Sequence, residues 1–179
     1  MIYLVRHGEA AAGWGDHPDP GLSDLGHKQA EAAAEALMQL GARSAICSPM
    51  QRCRETAGAF ERRMKITAAI EPVVSEIVTP GGISDRVSWL RGYMEGTWRE
   101  EGAAHDDWRR RIVEALLLLP DNTAVFSHFV AINAAVSMIE NDPRTIVFKP
   151  GHCSITKLDF SGAVPRVVEY GSQAATRVL

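Results

Sequence analysis

The chain has 179 residues, of which 46% are hydrophobic and 23% charged. That is the size and balance of one globular domain able to bury a sizeable core, which excludes disordered and fibrous classes. A formal net charge of -3 excludes strong non-specific attraction to nucleic acid or to an anionic membrane.

The chain opens with the β-rich run Ile2 to Arg6, too short an apolar stretch for a secretion signal. A polar loop is expected from Gly13 to Gly21. Ser23 then reads as a helix N-cap, and Ala30, Ala33, Leu37 and Leu40 recur at helical spacing until Gly41. Ser44 to Ser48 predicts a second strand. Pro49 is expected in the first turn of a helix running to about Met64. Ile66 to Ile70 predicts a third strand, and Pro80 to Gly102 is less regular, with one short helix near Asp85 to Tyr93.

The second half repeats the alternation. Trp108, Ile112, Ala115, Leu116 and Leu119 mark one helix face, with Asp106 and Asp107 near its positive end. Arg109, Arg110 and Arg111 read as a solvated part of that helix. A strand from Ala124 to Ser127 leads into an apolar helix ending near Ile139, too short and too interrupted by polar residues to span a bilayer. Cys153 to Phe160 and Pro165 to Tyr170 predict a hairpin turning at Ser161-Gly162-Ala163. The expected fold is α/β, a single three-layer αβα domain over residues 1–179 whose mainly parallel sheet ends in an antiparallel edge hairpin. Three cysteines without a close pair argue against disulfides or a zinc site, so a reducing cytoplasm is the expected compartment.

In such sheets chemistry gathers beyond the carboxyl ends of the strands. Arg6-His7-Gly8-Glu9, Ser48-Pro49-Met50-Gln51-Arg52 and Ser127-His128 all fall there. Two arginines and two histidines thus converge from distant parts of the chain. Arginine offers a planar, permanently charged fork to two phosphate oxygens. A histidine between two guanidinium groups should be held neutral, with a lone pair to attack phosphorus. Singly, each residue also fits a structural role, and Glu9 reads equally as a solvated loop acid. A metal site of His7, His128 and Glu76 is disfavoured because the guanidinium groups would repel a cation.

With these motifs in order, the chain resembles the histidine phosphatase superfamily, in its phosphoglycerate-mutase-like branch, over nearly its whole length. Val5-Arg6-His7-Gly8-Glu9 is similar to the R-H-G-E signature. Leu22-Ser23-Asp24-Leu25-Gly26-His27-Lys28-Gln29-Ala30 resembles the L-T/S-x-x-G-x-x-Q-A segment, and Ser48 to Ala57 the S-P-x-x-R-x-x-x-T-A segment. The resemblance implies that His7 is the nucleophile, that Arg6, Arg52 and His128 hold the phosphoryl oxygens, and that Glu76 donates the proton. Glu71 is the rival acid. Phe129 stands where the acid-phosphatase branch has Asp, which disfavours that branch.

Ala10, Gly13 and Phe129 depart from the family's usual residues. With no long insertion over the site, the resemblance implies hydrolysis of small organic phosphate monoesters through a phosphohistidine, without metal or other cofactor. A phosphoglycerate-type mutase and a non-catalytic phosphate-binding module are the alternatives. The expected partner is a small phosphate ester, with neither nucleic acid nor membrane. Residues 79–102 are expected to form a cap that sets specificity. Arg86, Trp89, Arg91, Trp98 and Arg99 there are a mixture able to grip an organic phosphate, although Trp89 and Trp98 read more simply as packing anchors of the cap helix.

Overall fold

The structure is a computed structural model that describes residues 1–13 and 17–173. The middle of the expected loop, residues 14–16, lies outside the described residues. In chain order the elements are β1 (Ile2–Arg6), α1 (Asp24–Gln39), β2 (Ser44–Cys47), α2 (Gln51–Met64), β3 (Ala69–Ile70) and a 3₁₀ turn (Pro72–Val74). There follow α3 (Arg86–Glu95), α4 (Trp98–Glu101), α5 (Ala103–Leu117), β4 (Thr123–Ser127), α6 (Phe129–Glu140), β5 (Ile155–Asp159) and β6 (Arg166–Glu169). Among the described residues, no helix is long and apolar enough to cross a membrane.

The strands form one sheet in the order β3-β2-β4-β1-β5-β6. The first four are parallel, while β5 and β6 add the expected antiparallel hairpin at one edge. Side chains alternate across a strand, and the central strands use both faces. In β1, Ile2 and Leu4 join the core shared with α5 and α6, whereas Tyr3 and Val5 join the core shared with α1 and α2. In β4, Val125 faces the first core and Ala124 and Phe126 face the second. Parallel register sets Arg6 opposite Ser127, so His7 and His128 leave neighbouring strands at the same level.

Several boundaries differ from the sequence reading, each for a local reason. α2 starts at Gln51, leaving Pro49 outside the first turn, because Asp19 Oδ1 accepts from Gln51 N at 2.9 Å and caps the helix from another loop. β3 is only two residues long: Lys65 ends α2 in the left-handed region (φ 56°), and the Ala68 amide donates to Glu61 Oε1 instead of a ladder. β5 begins at Ile155, because Cys153 (φ 55°) and the Ser154 N to Gly151 O bond make a turn first. The missed helix α4 is announced by a capping box, Thr97 with Glu100. Arg109 is no solvated arginine: it stacks 4.9 Å from the Trp98 ring and pairs with Asp106 at 2.7 Å.

The loop after β1 is clamped to the start of α1. Ser23 caps α1 by accepting from Gly26 N at 3.0 Å, and donates its own hydroxyl to Glu9 Oε1 at 2.8 Å. Glu9 N donates to Gln29 Oε1 at 2.8 Å, and Ser23 N to Glu9 O at 2.9 Å. Glu9 is therefore an anchor and no solvated acid. The two backbones lie so close that a Cβ on Gly26 would come within 2.1 Å of Glu9 O, and one on Gly8 within 2.7 Å of Gly26 O. Gly26→Ala is expected to destabilise by about 1–3 kcal/mol, as overpacking against backbone does. A lowered urea midpoint checks this, and an unchanged midpoint would contradict the clamp.

Candidate active site

Strand ends and helix starts deliver the two arginines and two histidines of the site, and the irregular segment after the 3₁₀ turn delivers Glu76. β1 delivers Arg6 and His7, α2 carries Arg52 in its first turn, and β4 runs through Ser127 into His128, the N-cap of α6. Backbone bonds fix the levels: His7 N donates to Ser127 O at 3.0 Å, and Ser48 N to Phe126 O at 3.0 Å. Gly8 N donates to Thr56 Oγ1 at 3.0 Å, whose hydroxyl in turn donates to Arg52 O at 2.7 Å. Ser127 Oγ donates to Val74 O at 2.7 Å, tying the turn that precedes Glu76 to β4.

The tautomers follow from what the partners can do. The Gly8 carbonyl can only accept, so the His7 Nδ1 lying 2.7 Å from it carries the hydrogen. Nε2 of His7 keeps its lone pair and accepts from Arg52 Nε at 3.3 Å. Arginine can only donate, so His128 Nδ1, 3.2 Å from Arg52 Nη2, is unprotonated, and its Nε2 donates to Ser48 Oγ at 2.8 Å. The two rings stand edge to face with centroids 5.3 Å apart. Arg52 is held on its other side by Asp19, 3.7 Å from Nη1.

Electrostatics reinforce this. Burial, then the neighbouring His128, Arg52 and Arg6, hold His7 well below the usual imidazole range. Burial, then Arg52 and Arg6, do the same to His128. The sequence reading credited the arginines; desolvation is the larger cause. Arg6, brought down to about 10 mainly by burial, donates from Nη1 to Pro150 O at 2.9 Å and lies 5.1 Å from the Phe129 ring. Phe129, a departure from the family pattern, thus sits against the arginine that precedes His7.

Glu76 is buried against the first turn of α6. Its Oε1 accepts from Ile77 N at 3.0 Å and Ala131 N at 3.2 Å, and its Oε2 from Val130 N at 3.2 Å. These amides, with Arg52 and Arg6, favour the carboxylate, but burial outweighs them and raises the pKa. Glu71 has another duty, accepting from Val73 N to cap the 3₁₀ turn.

A cavity of about 500 Å³ opens at His7, Arg52 and Glu76, walled by Ala10, Met50, Ile77 and Val78 and reached by Arg86. Ala10 and Gly13 both line it. Of the expected cap, Arg86 alone among the described residues reaches this wall. Trp89 and Trp98 pack around Tyr93, at 5.5 and 5.9 Å, in keeping with the packing-anchor reading, and Arg91 and Arg99 are exposed. His152, to which the sequence assigned no role, lies with its ring 6.0 Å from that of His7. Among the described residues no group of three or more His, Cys, Asp and Glu side chains is arranged to hold a metal ion. The assigned tautomers are expected in long-range ¹H–¹⁵N spectra: His7 as Nδ1–H, His128 as Nε2–H, neither titrating between about pH 6 and about pH 8. Titration of either ring in that window would contradict the geometry.

The profile of the histidine phosphatase superfamily (branch 1) matches residues 2–173. The probable phosphoglycerate mutase GpmB of Erwinia tasmaniensis is 27% identical, over 89% of this chain and 84% of its own. That of Yersinia pestis is 26% identical, over 89% and 85%. Among solved structures, a mycobacterial glucosyl-3-phosphoglycerate phosphatase superposes with a TM-score of 0.75 at 20% identity, over 97% of this chain and 99% of that one. A phosphoserine phosphatase of Entamoeba histolytica, in complex with 3-phosphoglyceric acid, gives 0.76 at 19%, over 99% and 98%. Since the family profile matches residues 2–173 of 179, the chain belongs to the histidine phosphatase superfamily, branch 1.

Proposed function

We propose that the protein is a metal-independent phosphatase that hydrolyses small organic phosphate monoesters through a phosphorylated His7. The observation that carries this reading is the fixed tautomer of His7: the Gly8 carbonyl holds Nδ1–H, leaving the Nε2 lone pair beside the Arg52 guanidinium at the cavity. In the first step Nε2 attacks phosphorus and the ester oxygen leaves, taking a proton from Glu76. In the second, water attacks phosphorus, Glu76 recovers a proton from it, and His7 is released with inorganic phosphate. Arg6 and Arg52 would hold the phosphoryl oxygens, so the charge that builds there meets fixed positive donors without a metal ion. His128, the expected third holder, would donate to an oxygen by turning its Nε2–H from Ser48 Oγ to the ligand.

Hydrolysis is favoured over transfer because the rim is exposed and two wall positions carry no polar side chain. Val78 at the rim is 79% exposed. Ala10 and Gly13 offer no side-chain hydrogen bond to a sugar acid waiting to be rephosphorylated. Within residues 79–102, Arg86 is the side chain we assign to specificity.

His7→Ala is expected to abolish turnover of phosphate esters while leaving the fold intact, with chelator present throughout. Brief exposure of the wild type to ³²P-labelled ester should put an acid-labile label on His7, and inorganic phosphate should be the product. Retained turnover in the variant, or isomerised ester in place of phosphate, would sink the proposal.

The pH profile follows from the two opposed shifts. His7, lowered, already has its lone pair below the usual imidazole range, so the rising limb lies on the acid side. Glu76, raised, stays protonated above the usual carboxyl range, and the rate falls as pH climbs through its pKa. Glu76→Gln should remove the falling limb and cost about 10²- to 10⁴-fold on alkyl phosphates, but far less on an aryl ester whose leaving phenolate needs little protonation. An equal loss on both substrate types, or a selective loss in Glu71→Gln, would reassign the acid.

A further inference from the structure

His152 belongs to the turn that leads into β5, and this turn is fastened to β1. Arg6 Nη1 donates to Pro150 O at 2.9 Å, Cys153 N donates to Arg6 O at 3.0 Å, and Arg6 N donates to Ser154 O at 3.2 Å. Gly151 N donates to Ser172 O at 2.8 Å from the far side. Cys153 takes a left-handed conformation (φ 55°), which a residue with a Cβ adopts only when its surroundings impose it. The turn therefore aims its side chains, and it aims the half-buried His152 ring at that of His7, 6.0 Å away and tilted by 42°.

Here the third imidazole differs from the other two. The ring nitrogens of His7 and His128 are occupied by Gly8, Arg52 and Ser48. No described residue hydrogen-bonds to a ring nitrogen of His152, and no role in the scaffold uses them. The charged groups that face it are Arg6 and Glu9; burial and then Arg6 bring it down to about 4, against a weaker opposite pull from Glu9. At neutral pH it is thus an uncharged ring with one N–H donor beside the proposed nucleophile and the arginine that precedes it.

We propose that His152 is a third imidazole of the phosphoryl site, donating its N–H to an oxygen of the tetrahedral phosphoryl or phosphate dianion that His7, Arg6 and Arg52 hold. The proposal rests on the reading of His7 as the phosphoryl site. Arg52 and His128 reach His7 from α2 and β4, and His152 reaches it from the turn before β5. A dianion there would also favour the protonated ring, strengthening the donor when charge is present.

The test is calorimetric binding of inorganic phosphate and of orthovanadate to the full chain. His152→Phe keeps a ring against His7 but removes the donor, and should bind both anions about tenfold more weakly, the usual scale for one hydrogen bond to a charged group. His152→Asn restores a short neutral donor and should come within about threefold of wild type. Thermal unfolding of each variant shows whether the turn has loosened; if the Phe variant is destabilised, weak binding must still be rescued by Asn to support the proposal. Undiminished anion affinity in the Phe variant, or equal loss in Phe and Asn variants, overturns it. A wild type that binds neither anion brings down the phosphoryl-site reading itself, an outcome distinct from wild-type binding that the Phe variant retains.

Discussion

The site depends on one buried cation, the guanidinium of Arg52, which donates to an imidazole nitrogen on each of two strands. A guanidinium cannot give up its proton under ordinary conditions, so both nitrogens facing it must present lone pairs. Any protonation of His7 or His128 on those atoms would set like charges together in a dry site. One side chain thus dictates the protonation pattern of its neighbours, and the rest of the architecture serves to hold it. Asp19 steadies it from outside, and its own carbonyl receives the Thr56 hydroxyl that also supports Gly8.

Much of this was legible in the sequence because the informative residues sit at element ends. Strand, turn and helix signals located β1, β2 and β4, and chemistry-bearing residues directly after them marked the sheet edge where the structure brings Arg6, His7, Arg52 and His128 together. The signature residues away from the paired rings have a physical explanation only in three dimensions. Glu9, Ser23, Gly26 and Gln29 are one clamp, split between two segments. Periodicity cannot reveal such a cross-link, since neither half has a reason to exist without the other.

What stayed hidden depended on competition between neighbours that only coordinates resolve. The direction in which Glu76 shifts cannot be read from sequence, because backbone amides and arginines oppose burial; in the structure burial prevails. For the tryptophans of residues 79–102 the sequence favours packing over ligand contact, and the aromatic cluster with Tyr93 and Trp108 supplies the partners that only coordinates identify. His152 carries no local signal, as its approach to His7 comes from a turn pinned by Arg6 backbone and side chain.

The parallel pairing of β1 with β4 sets Arg6 level with Ser127, and each histidine follows its strand by a single residue. Side chains alternate along a strand, so one residue inserted into or removed from either strand would turn its histidine to the opposite face. Substitutions along the cavity wall face no such limit, since Ala10, Met50 and Val78 line the cavity and take no part in the pairing of the rings. Lineages built on this frame can therefore drift in the shape of the wall and in the length of the connections, while the two central strands must keep their length to the residue.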